Sequence, residues 1–351
     1  MFSGLGLAPL VLIFAAAAGA VWFAGIYLSR STDTLDTRLG LGEALGGAIL
    51  LAFATNLPEI AITASAGLAH DLGIAIGNIL GGIAIQTVVL VVLDIAIGKE
   101  AALTTKATSL VLGLEGLLVI LVLSITIMGA QLPGGRPFGR LEPAALLIVV
   151  AWIAGLWLVN RARRGLPWRD AIGPPPGAQT KPMGHSKAQK MKDASLARAS
   201  AIFGAGALVT LGAGVVLEQS GNEIAGHLGL SGVVFGATFL AAATALPEVS
   251  TGLASVRLGD FQLAVSDIFG GNAFLPVLFL LAGLLSGSAV LPQAQATDIY
   301  LTALGIVLTV VYLWGLVTRP NRQVWRMGVD SLAVLLLYAA GIAGLLAVSN
   351  G

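Results

Sequence analysis

The sequence contains no cysteine and little charge, and each shortage excludes a class of protein. None of the 351 residues is cysteine, which excludes disulfides, thiolate metal centres and cysteine nucleophiles. Charged residues make up only 11% of the chain, whereas soluble domains carry about a quarter. The three histidines map to predicted loops, which argues against a histidine metal site. The chain is therefore not an ordinary soluble domain.

Apolar residues are abundant instead, at 56% of the chain with a mean hydropathy of +0.91. Uncharged runs cover 72–93, 199–217, 228–246 and 274–297. About 20 apolar residues are enough to cross a bilayer as a helix. We therefore predict an all-α polytopic membrane protein. Ten transmembrane helices are expected, at about 5–29, 41–68, 72–97, 107–129, 141–160, 196–218, 229–255, 261–285, 297–318 and 327–348.

The first apolar segment is expected to remain as a transmembrane helix. It has no basic residues before it and is too long for the apolar part of a signal peptide. The one long polar segment, 161–198, contains the run GPPPG and reads as a linker. It is expected to be a solvated loop that contacts anionic lipid, although a regulatory role remains open.

The distribution of basic residues predicts the orientation. With segment 161–198 in the cytoplasm, alternation of the ten spans places 17 of the 19 lysines and arginines inside. Only Arg136 and Arg140 fall outside. We therefore expect a multi-pass protein of the plasma (inner) membrane with both termini extracytoplasmic.

An internal duplication links the two halves. ATNLPEI (54–60) resembles ATALPEV (243–249), and GNILGG (77–82) resembles SDIFGG (266–271), both with an offset of 189 residues. The predicted domains are a first five-helix repeat at 1–160 with its motif at 54–86, a cytoplasmic basic linker at 161–195, and a second repeat at 196–351 with its motif at 243–275. Five helices is an odd number, so the second repeat is inverted. Inverted repeats of this kind are typical of transporters.

The paired motifs place a proline and a carboxylate inside each of two spans. Pro58 and Pro247 have no N–H group, which frees the backbone carbonyls of Ala54 and Ala243. In a bilayer such carbonyls need partners within the protein or a wet cavity, and a cation is one such partner.

The carboxylates and their polar neighbours complete the predicted site. Glu59 and Glu248 each lie well inside a span, and an intramembrane carboxylate is a functional candidate by default. Thr55, Asn56 and Thr244 add side-chain oxygens. Ca²⁺ prefers six to eight oxygen ligands of these kinds. A proline kink with a hydrogen-bonded glutamate is the alternative, which the duplication disfavours.

The next span of each half is expected to form the facing wall. Asn78, Gly82 and Gln86 share one helix face, and their equivalents are Asp267, Gly271 and Leu275. The glycines are expected to serve close helix packing. Asn78 either forms an interhelical hydrogen bond or serves as a ligand. Asp267 is a third intramembrane carboxylate and is expected to take part in the site.

Other acidic residues are weaker candidates. Glu115 and Asp94 are either proton relays or structural hydrogen-bonding groups. Glu43 and Glu218 read as charges in loops or at the ends of spans.

The paired motifs resemble those of the cation/Ca²⁺ exchanger superfamily, in particular its prokaryotic sodium/calcium-exchanger-like branch. That branch carries G-T-S-L-P-E in one helix and G-S-N-I-x-N/D in the next, in each of two repeats. The resemblance covers all ten spans. It implies a secondary-active antiporter, not an enzyme, that exports Ca²⁺ in exchange for Na⁺ by alternating access, with Thr55, Glu59, Thr244 and Glu248 as ligands.

The chain departs from this pattern where the family is expected to hold Na⁺. Asn56 stands in place of a serine, Ala245 has lost a hydroxyl, and Gly82 and Gly271 replace serines. Gln86 and Leu275 stand where asparagine or aspartate is usual. Coupling to H⁺ or transport of another divalent cation therefore remains open, and a cation channel is a less favoured alternative. Beyond the transported ions and the lipid bilayer, we expect no cofactor, nucleic acid or protein partner.

Overall fold

Helices form nearly all of the described chain in the computed structural model, which describes residues 2–39, 52–99, 101–133, 141–164 and 195–349. They are α1 (Leu7–Leu39), α2 (Leu57–Ala69), α3 (Leu72–Ile97), α4 (Leu103–Lys106), α5 (Leu110–Ala130), α6 (Pro143–Arg164), α7 (Leu196–Leu228), α8 (Gly232–Thr244), α9 (Leu246–Leu258), α10 (Phe261–Ser286), α11 (Ala296–Thr318) and α12 (Val329–Ser349). A small antiparallel hairpin, β1 (Gln323–Val324) and β2 (Met327–Gly328), precedes α12 and pairs Gln323 with Gly328.

The described residues contain eight helices that are long and apolar enough to cross a membrane, or nine when α8 and α9 count as one bent span. The predicted second span, 41–68, lies partly outside the described residues, and α2 represents its described end. The prediction of an all-α polytopic membrane protein is confirmed.

Two helices continue beyond the predicted ends of their spans. The first and sixth spans were expected to end at about 29 and 218, whereas α1 continues to Leu39 and α7 to Leu228. Both predictions stopped where polar residues begin. The backbone hydrogen bonds of α7 nevertheless continue until Gly229 takes a left-handed conformation with φ of 65° and caps the helix.

The first helices of the two halves correspond in chain position. Helices α1 and α7 start and end 189 residues apart, as do α2 and α9, and α3 and α10. The spacing seen in the short motifs therefore extends to whole helices.

Helices α1 and α7 pack along each other, and each also crosses the broken span of the opposite half. A Cβ atom at Gly25 of α1 would lie 2.9 Å from the Cβ of Pro247, and one at Gly214 of α7 would lie 3.0 Å from the carbonyl oxygen of Pro58. Gly25 and Gly214 are themselves 189 residues apart. Glycine allows this close approach because small residues let membrane helices pack backbone to backbone.

Helices α3 and α8 also approach each other closely. A Cβ atom at Gly236 of α8 would lie 3.0 Å from the backbone nitrogen of Asn78, and a Cβ atom at Gly81 of α3 would overlap the Cα atom of Ala237. The largest apolar core surrounds α3 and includes residues of α5, α10 and α11. This packing fixes the polar face of α3 against the broken spans.

Candidate cation-binding site

Each half contains a span that is broken next to its Leu-Pro-Glu motif. Residues 52–55 are helical, Asn56 forms a turn, and α2 begins at Leu57. In the second half α8 ends at Thr244, and α9 begins at Leu246 with a bend of 40°. The prolines stand within the first two positions of α2 and α9, where a missing N–H group is tolerated. Both glutamates consequently lie in the first turn of a half-helix.

The two glutamates meet at one amide group. The side chains of Glu59 and Glu248 are completely buried. The Nε2 atom of Gln86 lies 3.4 Å from Oε1 of Glu59 and 3.3 Å from Oε1 of Glu248, and it donates to both. The second oxygen of each glutamate has no hydrogen-bond partner among the described residues. The amide nitrogen thus occupies a point between two carboxylates, where a cation would also be attracted.

Threonines line the glutamates across the boundary between the halves. Thr244 lies against the carboxylate of Glu59, and Thr55 lies against that of Glu248. The hydroxyl of Thr244 also lies 3.4 Å from Oδ1 of Asn78. Thr55 and Thr244 are nearly fully buried, so both hydroxyls are held at the site rather than in solvent.

Asn56 lies at the helix break and is fully buried. Its Nδ2 atom donates to the carbonyl of Ala52 at 2.6 Å, while its Oδ1 atom has no partner among the described residues. A Cβ atom at Gly271 would lie 3.1 Å from Nδ2 of Asn56 and 3.3 Å from Oε1 of Gln86. Gly271 therefore leaves the space that these two amides occupy.

The equivalent place in the other half is apolar. A Cβ atom at Gly82 would lie 3.3 Å from Cδ1 of Leu275, the residue that corresponds to Gln86. Leu275 is fully buried and begins a short 3₁₀ turn, Leu275–Val277, within α10. One amide from the first half therefore serves both glutamates, and the second half supplies no matching polar group at that position.

Asp267 stands apart from this central group. Its Oδ2 atom accepts a hydrogen bond of 2.7 Å from the hydroxyl of Thr251, and its Oδ1 atom has no partner among the described residues. In the part of the chain that the structure describes, no three acidic, histidine or cysteine side chains converge closely enough to hold one metal ion. Asp267 is thus a neighbour of the glutamate pair on the side of α9 and α10.

The structure brings most of the predicted residues into one buried group: Thr55, Asn56, Glu59, Asn78, Gln86, Thr244 and Glu248. Ala54 and Ala243 are buried in the helical turns just before the breaks.

Two polar residues close to this group, Asn272 and Thr251, were not predicted from the sequence. The Nδ2 atom of Asn272 donates to the hydroxyl of Thr87 at 3.1 Å, and both side chains are fully buried. Asn272 follows Gly271 directly and stands at the asparagine of the G-S-N pattern, which was the available signal. Thr251 carried no such signal, because its equivalent in the first half is Ile62.

Three acidic residues outside the group have structural partners. Asp94 accepts hydrogen bonds from the backbone nitrogens of Leu103 at 2.6 Å and Gly328 at 2.7 Å. Glu115 accepts a 3.0 Å bond from Ser266. The interpretation of Glu218 as a charge at the end of a span is wrong, because it is buried within α7 and accepts a 2.9 Å bond from Ser65. Glu43 lies outside the described residues.

Glu142, just before α6, forms hydrogen bonds with a loop of the other half. Its Oε2 atom accepts hydrogen bonds from the backbone nitrogens of Val290 at 2.9 Å and Leu291 at 3.4 Å. Burial raises the pKa of Glu142 above its ordinary value, although the two N–H donors act in the opposite direction.

Comparison with known proteins places this arrangement in a family. A family model described as sodium/calcium exchanger protein matches residues 9–160 and 199–345. Inner membrane protein YrbG of Escherichia coli (strain K12) is 25% identical over 297 residues, which cover 84% of this chain and 85% of that protein.

Two solved structures share the fold. The sodium-calcium exchanger NCX_Mj, soaked with Na⁺ and Sr²⁺, matches with a TM-score of 0.61 and 17% identity over 96% of this chain and 99% of that one. The H⁺/Ca²⁺ exchanger CAX matches with a TM-score of 0.68 and 12% identity over 97% and 87%. The predicted fold class, ten transmembrane helices in two inverted five-helix repeats, is confirmed.

The family match covers both halves of the chain and both broken spans. The residues of the two Leu-Pro-Glu motifs lie within the matched ranges, and so do Gln86 and Asp267. This chain belongs to the sodium/calcium exchanger family, a family of membrane cation antiporters.

Proposed function

We propose that this protein is a secondary-active antiporter that exports Ca²⁺ in exchange for Na⁺ by alternating access. The observation that carries the proposal is the meeting of Glu59 and Glu248, both fully buried, at the single amide of Gln86. Two carboxylates balance the charge of one Ca²⁺ ion. The surrounding hydroxyl, amide and carbonyl oxygens suit its preference for six to eight oxygen ligands.

The proposed ligands have different roles. Glu59 and Glu248 neutralise the ion, and neutral oxygens complete its shell. These come from Thr55, Asn56, Asn78, Gln86 and Thr244 and from the backbone carbonyls of Ala54 and Ala243. Gln86 would rotate its amide on ion binding, because its nitrogen faces the carboxylates while its Oε1 atom has no partner among the described residues. Asp267 adds a third carboxylate close by.

Compulsory exchange follows from the electrostatics of such a site. An empty pair of carboxylates is costly to move through a region of low dielectric constant. Loading with Ca²⁺ or with monovalent cations removes that charge and lowers the barrier to reorientation. Because the site must be loaded in both directions, export of one ion requires import of the other.

Coupling to H⁺ is the second candidate, and a specific contact favours it. Leu275 packs at Gly82, so this position supplies no oxygen to Na⁺. Ala245 also lacks a hydroxyl, whereas proton coupling needs only carboxylates. Transport of another divalent cation would use the same fold.

The proposed setting is the plasma membrane, with the basic linker 161–195 in the cytoplasm, both termini outside, and the repeats at 1–160 and 196–351. The bias of basic residues supports this orientation. We expect a single chain to suffice, because the described ligands of both halves come from one polypeptide.

Uptake of ⁴⁵Ca²⁺ into liposomes that contain the purified protein tests the proposal. An outward Na⁺ gradient drives one sample and an outward H⁺ gradient another, with Glu59→Gln as the inactive control. Uptake on Na⁺ alone supports the leading proposal, and uptake on H⁺ alone supports the second. Uptake without any counter-ion gradient would indicate a channel and contradict both.

A further inference from the structure

A polar pair in the second half lies one helical turn beyond Glu248. Thr251 of α9 and Asp267 of α10 are 3% and 6% exposed. The hydroxyl of Thr251 lies 2.7 Å from Oδ2 of Asp267 and 3.2 Å from the carbonyl oxygen of Glu248. The Oδ1 atom of Asp267 has no hydrogen-bond partner among the described residues. The two carboxylate oxygens of Asp267, the hydroxyl of Thr251 and the carbonyl of Glu248 thus form a buried chain of four oxygen atoms, in which one carboxylate oxygen has no partner among the described residues.

The first half shows that the fold does not require this pair. The residues 189 positions earlier are Ile62 and Asn78, and both are fully buried. An isoleucine and a neutral amide therefore satisfy the same packing positions in the other repeat. Burying a carboxylate in a membrane span is costly, which makes a structural purpose a poor explanation for Asp267.

We infer that Asp267, Thr251 and the backbone carbonyl of Glu248 form a second cation position, separate from the glutamate pair and suited to Na⁺. A single carboxylate balances one positive charge, while the hydroxyl and carbonyl oxygens add neutral ligands. A Ca²⁺ ion there would keep an uncompensated charge and would need more oxygens. The inference rests on the proposed function, because it names the place where a coupling ion binds.

The proposed cation position lies on one particular side of the glutamate pair. Thr251 lies farther along α9 than Glu248, towards the turn at Gly259 that joins α9 to α10. Leu258 lies seven positions after Thr251, which corresponds to about 10 Å of helix. In the proposed orientation this end faces the cytoplasm. A cation approaching the glutamate pair from that face meets Asp267 first, whereas one approaching along α2 and α3 from the opposite face meets Asn78 and Ile62.

The test measures Na⁺ binding without transport, through the thermal stability of the purified full-length protein in detergent. NaCl is titrated against choline chloride at constant ionic strength. The double variant Glu59→Gln/Glu248→Gln is the background, because it removes the charge of the central pair. We expect Na⁺ to stabilise this background, and Asp267→Asn to raise the half-maximal Na⁺ concentration about tenfold or more.

Thr251→Val, which removes the hydroxyl and keeps the branched shape, should shift the same titration in the same direction. If Asp267→Asn does not fold, this second variant still tests the inference. Asp298→Asn removes a buried carboxylate on α11, outside the proposed position, and is the matched control. It should leave the Na⁺ titration unchanged.

A background variant without any Na⁺ response would overturn the inference, and so would identical titrations with and without Asp267→Asn. The proposed function fails separately, if the wild-type protein moves no ⁴⁵Ca²⁺ in liposomes. The binding titration remains readable in that case, so the two failures are distinguishable.

Discussion

The two halves of the molecule share their framework and differ in the side chains around the glutamates. Both carry a broken span with Leu-Pro-Glu, and both place a glycine of the crossing helix, Gly25 or Gly214, against the proline of the opposite half. Thr55 and Thr244, which lie beside the glutamates, are also equivalent residues, but the other polar groups nearby are not shared. The first half supplies Gln86 where the second has Leu275, and the second supplies Asp267 where the first has Asn78.

This difference separates the residues that shape the fold from those that distinguish the two halves of the proposed cation site. Residues retained in both copies are those that break the span, pack the crossing helices and carry the central charge, together with the threonine beside each glutamate. Residues that differ are those that decide how many oxygens and charges surround the glutamates. An inverted duplication constrains the backbone to be symmetric but leaves the proposed cation site free to be asymmetric.

The largest effect is expected at the shared glutamates. Glu59→Gln and Glu248→Gln should each reduce Ca²⁺ transport at least about a hundredfold, because each removes half of the buried charge. Both variants should remain folded, since glutamine has the same shape and its uncharged side chain costs less to bury. ⁴⁵Ca²⁺ uptake in liposomes measures the loss, with the thermal midpoint as the control for folding. Near-normal uptake by either variant would contradict the proposed site.

Much of the fold and part of the site could be predicted from the sequence. Apolar runs and the repeated motifs predicted the membrane class, the duplication and the buried glutamates. The i, i+4, i+8 spacing placed Asn78 and Gln86 on one face of α3. That Gln86 reaches both glutamates could not be predicted, because the distance between two repeats depends on helix packing. The contact of Thr251 with Asp267 could not be predicted either, because the equivalent of Thr251 in the first half is Ile62 and the repeat therefore gave no signal.

The next effect should come from making the halves alike at Gln86. Gln86→Leu copies the residue of the second half and removes the amide that both glutamates contact. We expect Ca²⁺ uptake to fall about tenfold, which corresponds to the loss of one polar interaction. The matched variant Leu275→Gln or Leu275→Asp adds a polar group beside Gly82 and should alter the dependence of uptake on Na⁺.

Initial rates at several Na⁺ gradients measure both changes. Full activity of Gln86→Leu would show that the contact in the structure is incidental to transport. Unchanged Na⁺ dependence in Leu275→Asp would mean that this departure from the family pattern is neutral.

A smaller effect is expected where equivalent glycines pack differently. A Cβ atom at Gly81 would overlap the Cα atom of Ala237, whereas one at Gly270, its equivalent, would meet no atom within 4 Å. Gly81→Ala should therefore lower stability by about 1–3 kcal/mol through overpacking. Gly270→Ala should be neutral or slightly stabilising, because alanine favours the helix. Thermal midpoints of the two variants test the contrast, and equal midpoints would show that α3 and α8 do not pack this closely.

The smallest effect concerns Glu142, which holds the loop at Val290 and Leu291 in the opposite half. Because burial raises its pKa in the folded protein above the ordinary value of 4.5, the folded state binds its proton more tightly than the unfolded state. The contribution of this group to stability is therefore greatest below pH 4.5, falls as the pH rises towards the raised pKa, and is then constant.

Glu142→Gln keeps an acceptor for the two N–H groups but cannot ionise, so it should lack this fall. Its stability relative to wild type should improve across that window, by about 1 kcal/mol or less. Subtracting the two thermal unfolding profiles cancels every other titrating group, and a difference that stays constant from pH 4.5 to 7 would show that this carboxyl does not contribute to the pH dependence.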